Sequence, residues 1–207
     1  MKNLHNYLFL ALIVGLVFSC DTDDVEGVTP IIGADPVEIP DAAFGEYLVF
    51  NQVAGVFSEV IDNETKFFLN PNEVVVVNEL QLSKTSSNTT ELLNAGLPNA
   101  ETKITDLTGL EYFIGLQRLV LTSNNVESIN VSALEGLEEL EINFNLIGNL
   151  DLSNNLSLTK LRYRGSAQAE ENQKLSSLDL SNNTNLRHLY LENQNLVSID
   201  LSNNLQI

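Results

Sequence analysis

Leu116-Gln117-Arg118-Leu119-Val120-Leu121-Thr122-Ser123-Asn124-Asn125-Val126 is followed, twenty-one residues on, by Leu137-Glu138-Glu139-Leu140-Glu141-Ile142-Asn143-Phe144-Asn145-Leu146-Ile147. The match runs past the quoted stretch, since Ile129 and Val131 meet Leu150 and Leu152 at the same offset. Within Leu119-Val120-Leu121 apolar residues flank an outward position, which is strand spacing. One such unit cannot bury its apolar side alone, so neighbouring units must supply the core. The period predicts a stacked coil whose strands form a parallel sheet with rungs about 4.8 Å apart.

Working outward, the third unit starts on schedule with Leu158, Leu161 and Tyr163. Seven extra residues, Gly165 to Glu171, then precede Gln173, Leu175, Leu178 and Leu180. The fourth reads Leu186, Leu189, Leu191, Gln194, Leu196, Ile199 and Leu201. Upstream, Val77, Leu80, Leu82, Ile104, Leu107 and Leu110 form a degenerate unit swollen by the polar stretch Thr85 to Glu101. The pattern L-x-x-L-x-L-x-x-N-x-L resembles the leucine-rich repeat. The lead-in Ile104-Thr105-Asp106-Leu107-Thr108-Gly109-Leu110 resembles that of internalin-type bacterial repeats. The resemblance implies a mostly β, α/β solenoid: a right-handed leucine-rich-repeat coil with a parallel sheet on its concave face and a short N-terminal helical cap. The repeats are assigned to 77–207. Ile207 falls where the next leading leucine belongs, and no polar cap follows, so either a longer gene product, the favoured reading, or a partner covering that end is expected.

Asn124 and Asn145 follow the strand where the chain turns inward. An amide side chain offers both a donor and an acceptor to buried turn backbone. Gln173 and Gln194 stand at the same place in the last two units. The second halves, such as Leu150-Asp151-Leu152-Ser153 and Ile199-Asp200-Leu201-Ser202, also alternate. They predict a second, shorter parallel ladder closed by Asn-Asn turns. The Asp151, Asp179 and Asp200 column then points outward, with hydrogen bonds to the Ser-Asn turns offsetting its repulsion. A weakly bound cation along that column is the alternative.

Residues 39–76 read as an N-terminal cap region. Asp41 is a helix N-cap, and Phe44, Tyr47 and Leu48 share a helical face, which predicts a helix over 41–50. Residues 51–73 read as a loop. Asp62-Asn63-Glu64 there lacks the glycine and terminal glutamate of a calcium-binding loop.

The N-terminus reads as an address. Lys2 precedes twelve apolar residues, Tyr7 to Phe18, too few to span a bilayer. Val17-Phe18-Ser19-Cys20 resembles the lipobox of bacterial lipoproteins, implying cleavage after 19 and acylation of Cys20. A plain signal peptide with a chance cysteine and an uncleaved anchor are the alternatives. Asp21, Asp23, Asp24 and Glu26, with Gly27, Pro30, Gly33 and Pro36, make residues 20–38 a flexible acidic tether, roughly 20–30 Å in reach. Those acidic residues are similar to export signals of some surface lipoproteins. The expected location is the bacterial outer membrane or cell surface, with membrane contact through the lipid alone.

The formal charge is -18. So acidic a chain repels phosphate backbones and disfavours nucleic acid as a partner. Yet Arg118, Lys160, Arg162 and Arg164 gather at outward sheet positions. Three columns are expected: Arg118, Glu139, Lys160, His188; then Val120, Glu141, Arg162, Tyr190; then Thr122, Asn143, Arg164, Glu192. The candidate ligand-binding residues are Arg118, Glu139, Glu141, Lys160, Arg162, Arg164, His188, Tyr190 and Glu192. Arginine and aromatic residues are typical anchors of protein interfaces. A charge-balanced sheet surface accounts for the same columns. No nucleophile motif, phosphate loop or zinc spacing occurs, so no catalytic residue, metal site or cofactor is assigned. The reading is a non-enzymatic surface binding or adhesion module with a protein partner; glycan capture and a structural spacer are the alternatives.

Overall fold

The computed structural model describes residues 34–84 and 86–207. The signal-like run, Cys20 and the acidic residues after it lie outside the described residues. Among the described residues, no helix is long and apolar enough to cross a membrane.

Asp41 starts helix α1 (Ala42–Phe50) as its sequence position implies, its carboxylate accepting from the Phe44 amide at 2.9 Å. Phe44, Tyr47 and Leu48 are buried on the inner side. The other Asp41 oxygen accepts from the Thr105 amide at 2.8 Å, the Thr105 hydroxyl at 3.0 Å and the Asp106 amide at 3.0 Å. One side chain thus caps the helix and fastens it to the degenerate first repeat.

The expected loop over 51–73 is overturned. Strands β2 (Val56–Ile61) and β3 (Glu64–Leu69) pair as a hairpin, and β1 (Val37–Ile39) pairs along the other side of β3. The hairpin turn is Asp62-Asn63, both left-handed at φ 53° and 66°. Paired positive φ matches the twist of a two-residue hairpin, and Asp and Asn tolerate it. Phe57 and Phe68 stack across the pair at 5.7 Å, so apolar residues occupy both faces and the period of two is hidden. The first strand starts at Val37, inside the segment expected to be tether. The cap therefore carries the expected helix and, beside it, a three-stranded sheet. Gly45 allows the two to touch, because a Cβ there would overlap the Phe67 side chain.

Helix α2 (Pro71–Val74), capped by Asn70, leads to β4 (Glu79–Gln81). Helix α3 (Ser86–Asn94) occupies part of the polar swelling. Buried Glu46 of α1 accepts from the Asn99 amide at 3.1 Å and from its side chain at 3.0 Å, holding the end of that detour.

The repeat builds the expected parallel sheet, with β4, β5 (Arg118–Val120), β6 (Glu139–Glu141), β7 (Lys160–Arg164) and β8 (His188–Glu192) in sequence order. Leu80, Leu119, Leu140, Leu161 and Leu189 are in register, and the first four are buried. Each fully buried leucine contributes about 1.5–3 kcal/mol by leaving water. The molecule is a leucine-rich-repeat solenoid.

The turn residues work as the amide chemistry implies, with one substitution. Asn124 accepts from the Ile104 amide at 3.0 Å and donates to the Leu82 carbonyl at 2.7 Å. Asn145 accepts from Val126 at 3.3 Å and donates to Leu121 at 2.6 Å. Gln194 accepts from the Leu175 amide at 2.8 Å. Gln173 is not a rung: its side chain accepts from the Glu170 amide at 3.0 Å, inside the insertion. The vacated rung is filled by Tyr163, whose hydroxyl accepts from the Ile147 amide at 3.0 Å and donates to the Ile147 carbonyl at 2.8 Å. The seven extra residues displace Gln173 from the ladder, and a side chain one coil position earlier reaches across with a longer arm.

The expected second ladder is absent among the described residues; the alternating second halves form no strand there. The second asparagine of each Asn-Asn turn does that work. Asn155 donates to the Val131 and Leu134 carbonyls, both at 2.9 Å. Asn183 donates to Leu152 at 3.0 Å and Asn155 at 2.9 Å, and Asn204 to Leu180 at 3.0 Å and Asn183 at 2.9 Å. Side-chain amides satisfy the inward carbonyls, so the backbone has no need of ladder pairing.

The insertion packs back on the preceding coil. Gly148 makes room for it, since a Cβ there would run into the Asn172 carbonyl. Residues 171–173 form a 3-10 turn with a capping box from Glu170 and Gln173.

Candidate functional site

Strand alternation sends the residues between the buried leucines to the open face of the sheet. The registers bring all nine candidate residues onto that face, in the expected columns. β4 extends two of the columns with Glu79 and Gln81.

The first column alternates in sign. Arg118 pairs with Glu79 and, at 3.3 Å, with Glu139, which also receives Lys160 at 2.9 Å. The hydrogen bond from Lys160, then its charge and the Arg118 contact, hold the Glu139 carboxyl below its ordinary value against partial desolvation. Exposed pairs of this kind are worth about 0.2–1 kcal/mol each, so this column sets register and local charge more than stability.

The second and third columns converge on β7 and β8. Arg162 reaches Glu141 at 3.5 Å and lies 4.8 Å from the Tyr190 ring centroid. Tyr190 in turn stacks on His188 at 6.5 Å. Arg164 pairs with Glu192 at 3.2 Å. Its backbone amide donates to Asn143 Oδ1 at 2.8 Å, while Asn143 Nδ2 donates to Glu141 at 2.8 Å. Glu141 and Glu192 thus hold two guanidinium groups in place on an otherwise open surface.

Sequence reasoning missed one member. Phe144 is 37% exposed, and the Arg164 guanidinium sits 5.5 Å from its ring. Its backbone is left-handed at φ 56°, as are Ser123 and Asn193 at the equivalent turns. Asparagine tolerates such a turn, whereas phenylalanine there costs about 1–2 kcal/mol. The signal was legible: an aromatic residue between Asn143 and Asn145, where Ser123 and Asn193 stand at the equivalent turns. Asn143, Phe144, Arg162, Arg164, Tyr190 and Glu192 line a shallow depression of about 290 Å³.

Away from the sheet, each carboxylate of the Asp column is engaged locally. Asp151, Asp179 and Asp200 accept from the amides of Ser153, Ser181 and Ser202 at 2.9, 2.9 and 2.8 Å. These amide bonds hold all three carboxyls below their ordinary value. Two further depressions, of about 290 and 230 Å³, follow this column. Among the described residues, no three His, Cys, Asp or Glu side chains gather as metal ligands would.

No family model matches the chain, and no curated protein matches it. Among solved structures, the functional domain of InlJ from Listeria monocytogenes is similar over 81% of this chain and 35% of its own, at 22% identity and a TM-score of 0.50. An internalin, inlF, from the same organism is similar over 81% of this chain and 47% of its own, at 21% identity and a TM-score of 0.48. The chain thus spans about a third to a half of the solved chains it matches. The InlJ domain includes a cysteine ladder, which a chain with one cysteine cannot reproduce. At this level of identity the likeness is one of fold: this chain coils as an internalin's leucine-rich repeats do.

Proposed function

We propose that this protein is a non-enzymatic, surface-displayed binding module that holds a protein partner on the open face of its five-stranded sheet. The observation that carries the reading is the cluster of Arg162, Arg164, Tyr190 and Phe144 around one depression. Arginine and exposed aromatic rings are the side chains that anchor protein interfaces. Solenoids offer this kind of extended surface for binding, and the internalin-like fold agrees with that use. Lipid attachment at Cys20, with residues 20 to about 36 as tether and the cell surface as destination, belongs to the same proposal. It rests on the sequence resemblance.

The test is capture on the immobilised protein from arrays of purified envelope and host surface proteins. Replacing Arg162 and Tyr190 together by alanine should abolish capture; undiminished capture overturns the docking face. Fractionation of cells with Cys20→Ala beside wild type tests the anchor, which fails if the variant stays in the membrane fraction. Glycan capture is the second reading, and one observation favours it. Phe144 joins Tyr190 as a second exposed ring lining the depression, and a pair of aromatic rings with polar neighbours suits a sugar. A glycan array run beside the protein arrays separates the two.

A further inference from the structure

We propose that the depression between Phe144 and Tyr190 seats an acidic peptide segment, with a partner carboxylate against Arg162 and Arg164 and an apolar partner side chain on Phe144. The proposal rests on the docking-face reading above and gives the partner its chemistry.

Charge decides the choice of partner. β7 presents Lys160, Arg162 and Arg164 at alternate positions, on the same side of the sheet and roughly 6.6 Å apart. Each meets an acid, Glu139 and Glu141 on β6 and Glu192 on β8, so this face is locally balanced in charge. The chain as a whole carries -18. An acidic segment is therefore repelled by most of the molecule and meets less repulsion at this balanced face, where the unused guanidinium donors can receive its carboxylate. That is a basis for specificity as well as attraction. A basic segment would gain more from the acidic remainder of the chain than from this balanced face.

Geometry provides the seat. A guanidinium carries five N–H donors. Arg162 gives Glu141 one contact, at 3.5 Å, and Arg164 gives Glu192 one, at 3.2 Å. Each lies against a ring, at 4.8 Å for Arg162 on Tyr190 and 5.5 Å for Arg164 on Phe144. Two forks so held, side by side on one strand, are preorganised for a shared carboxylate. Phe144 supplies the independent observation. It keeps an aromatic ring at a left-handed turn that equivalent units build with Ser123 and Asn193, and the ring lines the same depression. Strain retained at an exposed position points to a role in contact rather than in folding.

The experiment is fluorescence anisotropy of labelled extended octapeptides with the purified full chain, at low and moderate salt. One peptide alternates Glu with Leu, a second replaces each Glu by Gln, a third replaces each Glu by Lys, and an oligothymidylate serves as a nucleic-acid probe. The Glu peptide should bind about tenfold tighter than the Gln peptide, with the gap closing as salt rises. R162Q/R164Q should erase that preference while circular dichroism stays unchanged. F144N should weaken the Glu and Gln peptides alike and raise the melting temperature. Equal binding of the Glu and Gln peptides, tighter binding of the Lys peptide or the oligothymidylate, or a preference that survives R162Q/R164Q would overturn the acidic seat. If the Gln peptide binds as well as the Glu peptide and both are lost in the Arg162→Ala, Tyr190→Ala double variant, the docking face stands and only the acidic preference falls. If no peptide binds, the seat is overturned, and the docking face is judged on the array capture alone.

Discussion

Replacing Tyr163 by phenylalanine deletes one oxygen from the centre of the coil. Tyr163 is fully buried, and so is Ile147, whose amide and carbonyl both bond the hydroxyl, at 3.0 and 2.8 Å. The ring is kept, so the cavity term is small. What changes is that two buried backbone groups lose their partner at once. Each orphaned group costs about 1–3 kcal/mol in desolvation that is no longer compensated. Against this, the variant no longer buries a phenolic hydroxyl. The net expectation is a loss of about 2–4 kcal/mol, or roughly 5–15 °C in melting temperature for a chain of this size. Urea unfolding followed by circular dichroism measures the first quantity. Hydrogen exchange at the Ile147 amide measures the cause: its protection should fall in the variant far more than that of the Val126 amide, which Asn145 holds at 3.3 Å. A loss below about 1 kcal/mol, or unchanged protection at Ile147, would refute the claim that Tyr163 serves as a rung. Tyr190→Phe is the control: Tyr190 is 46% exposed and holds no rung, so stability should be unchanged.

The same hydroxyl predicts a pH dependence. Burial pushes Tyr163 from 10.0 up to about 12, so the unfolded chain releases the proton first. Its contribution is complete below pH 10 and is lost as pH rises from about 10 to 12. The loss is about 2–3 kcal/mol at 1.36 kcal/mol per unit, and the Tyr163→Phe chain should lack this component of the alkaline fall. Phe144→Asn should stabilise the fold by about 1 kcal/mol by relieving the left-handed aromatic, read as a higher urea midpoint. Asn183→Ala should cost about 2–3 kcal/mol, because it strips the Leu152 and Asn155 carbonyls of their donor, whereas exposed Asn182→Ala should cost under about 1 kcal/mol. Asp41→Ala should cost about 1–2 kcal/mol through the helix cap and free the Thr105 and Asp106 amides for exchange.

The period of twenty-one made the coil legible because leucine burial enforces register: a slip by one residue would turn the whole apolar set outward. Outward columns follow from register alone, so the nine candidate residues could be placed before any coordinate was known. Three things were not legible, each for a physical reason. The hairpin over 56–69 was hidden because Phe57 and Phe68 put apolar residues on the side away from α1. The second ladder was over-read because alternation in Leu150-Asp151-Leu152 fits either a strand or a turn approach, and buried asparagine amides decided for the latter. Tyr163 looked like one more core position, since nothing in a local pattern shows that its hydroxyl meets Ile147 on the preceding coil.

The irregularities fall together. β7 and β8 are five residues long where β4, β5 and β6 are three, so their extra pairing carries Arg164 and Glu192 into the sheet. The seven-residue insertion leaves immediately after Arg164 and packs on Gly148, a few residues past Phe144. It displaces Gln173 from its rung, and Tyr163, between Arg162 and Arg164 on the same strand, replaces it. In a solenoid each coil is supported by its two neighbours, so a break in the period strains both of them. Tyr163 relieves that strain on the inner side of β7 while Arg162 and Arg164 face outward two residues apart. One strand therefore anchors the coil from one side and presents the basic cluster from the other. A change to the inner rung should loosen the geometry of the outer cluster before it unfolds the molecule.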